Sequence, residues 1–549
     1  MAIDVINLHG RRAVNRWDRV SVGDALERLV WSYPDKEAIV GWAGAFGEEE
    51  FERLTYRQAD QLANRVANGL MAQGMTPGDR VLLFCENSVE AFVSKIAIAK
   101  AGLVAVPLNP SLAPEVVAEL LKKTKPAFSI VDAELWPRAE PPFAEAGLAP
   151  GITITIGGPA VPGSRTFGEF ARDGSAAEPE VEIHGDDIWE ILFTSGTTAL
   201  PKGAMISHTS SMMGAYSFAL TLTRGVHIEC DLKLATFLPI IYHVADQVFT
   251  IPAFLSGGTL IIGRRPLAGE IAAAIHSERV TALWCGSPAM VNALAKALQD
   301  SPGTLDASSL KVVVYGWAAL PPATLAYLKQ RCGEELLAVE IFGQTECISC
   351  HRFWPDKWPD VYAATAPEHN YVGVPNPMLA SVVVDAEGNS LEGTAMVPGE
   401  AVYRSPSMTA GYYLDQAATE EAFRGGWFHS GDSCVYDEAG LRVMVDRYKD
   451  IVKSGGENVS TIRVEAVLHQ HPKVAKAAVI GLPDERWGEA VTAVVVPAGP
   501  ELPGEAELIE FCRGRLAGFE TPKRVIFTDA LPETVGGKVL KYKLRQQYY

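Results

Sequence analysis

The stretch FTSGTTALPKGAMISH, Phe193–His208, decides how this chain is read. A Ser, three Thr and a Gly (Thr194, Ser195, Gly196, Thr197 and Thr198) precede Lys202, and Gly203 follows it. Hydroxyls and exposed backbone amides can cradle phosphate oxygens, and Lys202 adds a mobile positive charge. The string is not the GxxxxGK[ST] loop of the common NTPases. Counted from Gly196, Pro201 replaces the second Gly and Gly203 replaces the closing Ser or Thr.

Outward from this loop, short apolar runs alternate with amphipathic helices. RVLLF from Arg80, LVAVPL from Leu103, AFSIVD from Ala127, TALWC from Thr281, KVVVYG from Lys311 and LAVEIFG from Leu337 read as buried strands of mainly parallel sheets. ADQLANRVANGL and PEVVAELLKKTK read as helices between them. The predicted class is α/β: a large N-terminal domain, residues 1–446, of stacked α/β subdomains with a β-rich module from about Ala380. A small α+β C-terminal domain, 447–549, follows a joint near Asp446–Lys449. The Pro/Ala/Gly-rich segment Pro137–Gly163 is expected to be surface loop.

Composition narrows the function classes. The 549 residues carry 48 Lys and Arg against 66 Asp and Glu, a net charge of −18, which argues against non-specific nucleic-acid binding. Eight Cys in such a length do not form a disulfide framework. With no apolar h-region at the N-terminus, a reducing, cytoplasmic location is expected. The apolar stretch Leu234–Gly263 contains prolines, His243 and Asp246, so it is expected to be soluble core and not a membrane span.

The phosphate string resembles the TSGTTGxPKG signature of the adenylate-forming superfamily: acyl-CoA synthetases, peptide-synthetase adenylation domains and firefly-type luciferases. Ala199 stands where that family usually has Gly. Further motifs follow in the family's order over nearly the whole chain, from KAGLVAVPLNP (Lys100–Pro110) onward. FLPIIYHVADQ resembles the segment carrying an aromatic or His residue at the acyl site, which implies that His243 orients the carboxylate or gates the acyl tunnel. IFGQTEC resembles YGxTE. It implies that Phe342 stacks on adenine, with Gly343 and Gln344 completing the turn. Thr345 would meet the α-phosphate, and Glu346, with Thr198, would hold Mg²⁺ at the triphosphate.

GWFHSGD implies that Asp432 accepts from both ribose hydroxyls, and Arg447 matches a second ribose contact. Lys449 matches the hinge. Gly455 and Gly456 of SGGEN match the loop bordering the pantetheine tunnel. GLPDERWGEAV is common in stand-alone acyl-CoA synthetases. LPETVGGKVLKYKLR resembles the catalytic-lysine motif, in which Lys538 is in register and Lys541 and Lys543 are not.

The implied reaction is ATP-dependent activation of a carboxylic acid as an acyl-adenylate, then transfer to coenzyme A, with the small C-terminal domain swinging between the two steps. The segments matching the acyl pocket hold His243, Tyr315, Gly316, Trp317, Ala318 and Cys347 and contain no Lys or Arg. A second carboxylate buried there would be uncompensated, so the expected partner is a monocarboxylic acid with an apolar or aromatic tail. Trp317 replaces a small residue of the family, and its bulk should disfavour long straight chains. CISCH, Cys347–His351, spells a haem attachment sequence, but it overlaps the nucleotide motif, so its thiols are expected at the acyl end of the site. An acyl-AMP ligase serving a carrier protein and a non-catalytic nucleotide- or acyl-binding homologue are the rival readings. A homo-oligomer is possible.

Overall fold

The apolar runs become strands because both faces are buried: in RVLLF, Val81 and Leu83 pack into one core and Leu82 and Phe84 into another. In a computed structural model, residues 19–194, 201–223, 231–240, 245–533 and 539–549 are described. His243, Ser195, Gly196, Thr197, Thr198 and Lys538 lie outside them. Among the described residues the strands form sheets of thirteen, seven and five members. RVLLF, LVAVPL and AFSIVD pair in parallel in the seven-stranded sheet, whose edge is the antiparallel hairpin Ile188–Phe193 and Gly203–Ser207. TALWC, KVVVYG and LAVEIFG pair in parallel in the thirteen-stranded sheet, which continues through Cys347–Phe353 into the β-rich module. The five-stranded sheet belongs to the last hundred residues, with helices Thr461–Leu468 and Glu505–Arg513 on one core. No helix of the described residues is long and apolar enough to cross a membrane, and Leu234–Gly263 contributes two buried strands and a helical turn.

One helix joins the two large sheets. Val89–Lys100 is capped by Ser88 and buried along its whole length, so its three charged residues each need a partner. Lys100 pairs with Asp60 at 2.8 Å and Glu178 at 2.7 Å. Lys95 pairs with Glu190 and Asp246. Glu90 accepts from the Gly47 amide at 2.6 Å, yet burial still raises its carboxyl from 4.5 to about 7. An unfolded chain releases that proton at lower pH than the folded one. Glu90 thus contributes stability that is intact below about pH 4.5 and lost as pH rises through 7, on the order of 3 kcal/mol. In Glu90→Gln the fall in melting temperature between pH 5 and 7.5 should be smaller than in the wild type. Equal falls, by differential scanning fluorimetry, would contradict the assignment.

One element departs from expectation. Within Pro137–Gly163 the structure has helix Trp136–Ala146 and strand Ile152–Ile154 in place of loop. Pro137 falls in the first turn, where its missing N–H costs little. Pro141 and Pro142 lie inside the helix and are tolerated because Phe143 packs edge-on against Phe84 and Trp136. Tertiary burial outweighs local propensity here.

Candidate active site

The hairpin that carries the phosphate string closes on itself: Phe193 pairs with Gly203, and the Thr194 amide donates to the Lys202 carbonyl at 2.9 Å. The returning strand is then stitched to a distant segment, SPSMTAGYY, Ser405–Tyr413. The Tyr413 amide donates to the Gly203 carbonyl at 2.7 Å, and the Met205 amide donates to Gly411 at 2.9 Å. Gly411 has φ +124°, and a Cβ there would meet the Thr419 side chain at 2.7 Å, so only Gly fits the turn.

This stitching delivers Tyr412 between two expected site residues. Its hydroxyl donates to Glu346 Oε1 at 2.7 Å, and Lys202 Nζ lies 4.9 Å from its ring centroid. Burial first, and then the Glu346 charge, raises the phenol pKa, so the hydroxyl stays a donor. The Thr409 amide donates to the Glu346 carbonyl. The sequence reading missed Tyr412. Its signal was an aromatic pair after Gly in a run without strand or helix periodicity, and no spacing rule places residue 412 beside residue 202.

The third component enters from the β-rich module. Strands Phe428–Tyr436 and Arg442–Arg447 pair with Asp432 opposite Arg447, and Arg447 Nε lies 2.6 Å from Asp432 Oδ1. Asp432 is the largest cause of the raised Arg447 pKa; burial opposes it and Glu346 adds to it. Arg447 also acts on Tyr412, so the four side chains share one electrostatic neighbourhood. Gln344 Nε2 donates to the Ser430 carbonyl at 3.4 Å, tying the IFGQTEC turn to the strand of Asp432. Around it Phe342, Gln344 and Thr345 are half-buried and Gly343 is exposed.

The acyl-pocket residues divide. Gly316 ends the strand Val312–Gly316 and Trp317 follows it, at the carboxyl edge where ligands of parallel sheets bind. Trp317 is 39% exposed with φ +74°, a conformation that bulky residues seldom hold outside functional sites. Its ring meets Trp284 edge-on at 6.0 Å, and Trp284 stacks on Phe249 at 5.0 Å. Ala318 is half-buried beside it. Tyr315 does not line this wall. Strand alternation turns it to the other face, among Leu320, Leu325 and Tyr362, next to Glu340. Cys347 and Cys350 are likewise corrected: both are buried in the β-rich core with Val372, Tyr403 and Phe428, and His351 is held by Ser381 and Arg442.

At the joint, burial and then Arg447 lower the Lys449 pKa. The Asp446 carboxylate accepts from the Thr461 amide at 2.6 Å. Lys541, out of register for the catalytic lysine, is half-buried with its Nζ 2.8 Å from Glu465. Gly455 and Gly456, with φ +63° and +91°, form the tip of the hairpin Val452–Val459. The Gly455 amide donates to the Trp487 carbonyl, so the described contact of this tip is with its own domain.

Residues 26–413 match the model of the AMP-binding enzyme family, and 463–538 match that of its C-terminal domain. The chain belongs to the AMP-binding enzyme family. As a member of this family it is an AMP-forming acid–thiol ligase. It is 34% identical to the long-chain-fatty-acid–CoA ligase FadD13 of Mycobacterium tuberculosis over 524 residues, covering 95% of this chain and 99% of that one. It is 34% identical to the feruloyl-CoA synthase of an Amycolatopsis species over 501 residues, covering 90% and 94%. Its fold superposes on ATP-bound MatB from Rhodopseudomonas palustris with a TM-score of 0.80 and 29% identity, covering 96% and 99%. The structure gathers Lys202, Glu346, Asp432 and Arg447, from four separate segments of the chain, around Tyr412.

Proposed function

We propose that this enzyme activates a monocarboxylic acid with ATP, as an acyl-adenylate, and transfers the acyl group to coenzyme A. The observation that carries the reading is Tyr412 joining Lys202 to Glu346 within reach of the Arg447–Asp432 pair. A triphosphate needs a cation and a metal-holding carboxylate, its sugar needs an acceptor, and Lys202, Glu346 and Asp432 would supply the three.

The acid's carboxylate attacks the α-phosphorus and pyrophosphate leaves. Lys202 and the amides of the phosphate loop stabilise the charge that builds on the phosphoryl oxygens, and Lys538 completes it; preorganised charge of this kind is usually the largest catalytic contribution. Asp432 holds the ribose, and Arg447 fixes Asp432. Glu346 suits Mg²⁺, a hard cation held by one carboxylate and substrate phosphates, and Tyr412 engages one of its oxygens and so orients the other. The CoA thiol then attacks the acyl carbonyl and AMP leaves, with Lys449 as the hinge on which the C-terminal domain exchanges Lys538 for the Gly455–Gly456 tip.

The aromatic wall Phe249–Trp284–Trp317 favours a flat or short apolar tail over a long straight one. A panel of carboxylic acids, followed by pyrophosphate release and then by AMP release and thioester mass with and without CoA, tests this. Pyrophosphate release without thioester would point to a carrier-protein acceptor, and no turnover on any acid would defeat the reading.

Tyr412→Phe removes one hydrogen bond to a charged carboxylate, a contribution of about 1.5–3 kcal/mol. It should lower kcat/KM for ATP roughly 10- to 100-fold, with KM for Mg²⁺ rising and KM for the acid unchanged. A variant with wild-type magnesium dependence would remove Tyr412 from the site.

A further inference from the structure

Lys95, Glu190 and Asp246 lie together between the two large sheets, each at most 2% exposed. Lys95 Nζ stands 2.6 Å from Glu190 Oε1 and 3.0 and 2.8 Å from the two oxygens of Asp246. It also lies 5.2 Å from the Trp189 ring centroid. Burial drives the Glu190 carboxyl well above the usual carboxylate range, against the pull of Lys95. A buried pair of this kind is weak evidence for stability, because apolar replacements often serve as well; fixing one geometry is a use it can have.

The three residues sit on three elements with different duties. Glu190 is on the strand Ile188–Phe193 that runs into the phosphate loop, and Lys95 is on the helix Val89–Lys100. Asp246 opens the turn Asp246–Thr250, which is wound as a π-helix. Wide turns of this type are rare and gather at functional sites. Each residue of such a turn rotates by roughly 80° instead of about 100°. Asp246 and Phe249, which an α-helix would place on one face, are thereby swung apart. Asp246 meets the ammonium, and Phe249 stacks on Trp284 in the wall that ends at Trp317. Gln247 adds a second anchor: its Nε2 donates to the Ser210 carbonyl at 3.0 Å, and it packs so closely on Gly214 that a Cβ there would meet it at 2.2 Å.

We propose that Lys95, Glu190 and Asp246 are positioning residues that hold the Asp246–Thr250 turn in its wide winding, and so set the shape of the acyl wall and couple it to the strand of the phosphate loop. The link to acid selection rests on the function proposed above; the link to the turn does not. Relaxation of the turn to α-helical winding would rotate Phe249 off Trp284 and alter which acids fit.

The test uses the full chain and two variants. Asp246→Asn keeps the shape and removes the charge. Lys95→Met/Asp246→Asn removes the ammonium together with the carboxylate that accepts from it twice, so it tests the role even where the single variant misfolds. Two readouts are taken. Hydrogen–deuterium exchange of peptides covering 245–255 should quicken at least tenfold in the double variant, with peptides covering 259–263 unchanged. KM for the best acid should rise at least tenfold and the ranking of acids by tail length should change, with KM for ATP within twofold of wild type. Wild-type exchange at 245–255 overturns the proposal, and so does faster exchange with unchanged acid KM and ranking. Should the wild-type protein activate no acid, the proposed function fails by itself, and the exchange measurement alone still decides whether the cluster holds the turn.

Discussion

Lys538→Ala should slow acid-dependent pyrophosphate release by on the order of 10²–10³, while AMP release from supplied acyl-adenylate and CoA changes by less than about threefold. In the first step charge builds on the α-phosphoryl oxygens, where the proposed role puts the Lys538 ammonium; in the second, charge builds on the phosphate of departing AMP, and on the proposed domain swing Lys538 has by then been carried away from it. Lys538 follows a glycine pair in the segment between Glu533 and Val539, which pair with each other. On the N-terminal side Glu533 is tied to Lys476 at 2.5 Å; on the C-terminal side Lys541 is tied to Glu465, and Arg545 to Asp450 at 2.9 Å. Single-turnover measurements of the two half-reactions decide the matter. Equal losses in both would place the lysine outside the adenylation step.

Asp432→Ala should lower kcat/KM for ATP by about 10²–10⁴. Hydrogen bonds to a charged group contribute about 1.5–3 kcal/mol each, and two ribose hydroxyls are at stake. The variant also leaves the Arg447 guanidinium without the neighbour that chiefly raises its pKa. A ribose role can be separated from a structural one with sugar analogues. The wild type should discriminate strongly against 2′-deoxy- and 3′-deoxy-ATP, and the variant should hardly discriminate at all. If the variant keeps the wild-type discrimination, Asp432 does not touch the sugar.

Much of this was legible in the chain. The strands RVLLF, KVVVYG and LAVEIFG were readable because a doubly buried strand is a continuous apolar run, and the helix Tyr56–Ala72 because its apolar residues recur at four-residue spacing. Asp432 and Arg447 were placed by motif order, and the register of their two strands sets them opposite each other. Tyr412 was illegible because its role depends on a backbone pairing across two hundred residues, which no periodicity records. Tyr315 and Cys347 stand in segments that resemble the family's acyl pocket, but a segment match does not say which way each side chain faces. Along a strand the next residue faces the other way, so proximity to Gly316 or Glu346 says little about which side is lined. The helix Trp136–Ala146 was hidden by its three prolines, which local rules weigh more heavily than the packing of Phe143.

The contacts at the joint bear on how the molecule works as a machine. Asp446 to Thr461, Ser460 to the Val445 carbonyl and Gln470 to Glu368 are hydrogen bonds, while the apolar clusters of the last hundred residues are closed within themselves. Hydrogen bonds of this kind can be exchanged for water one by one. On the proposed swing of the C-terminal domain, these contacts could be released and remade at each turnover while the apolar cluster of that domain stays intact.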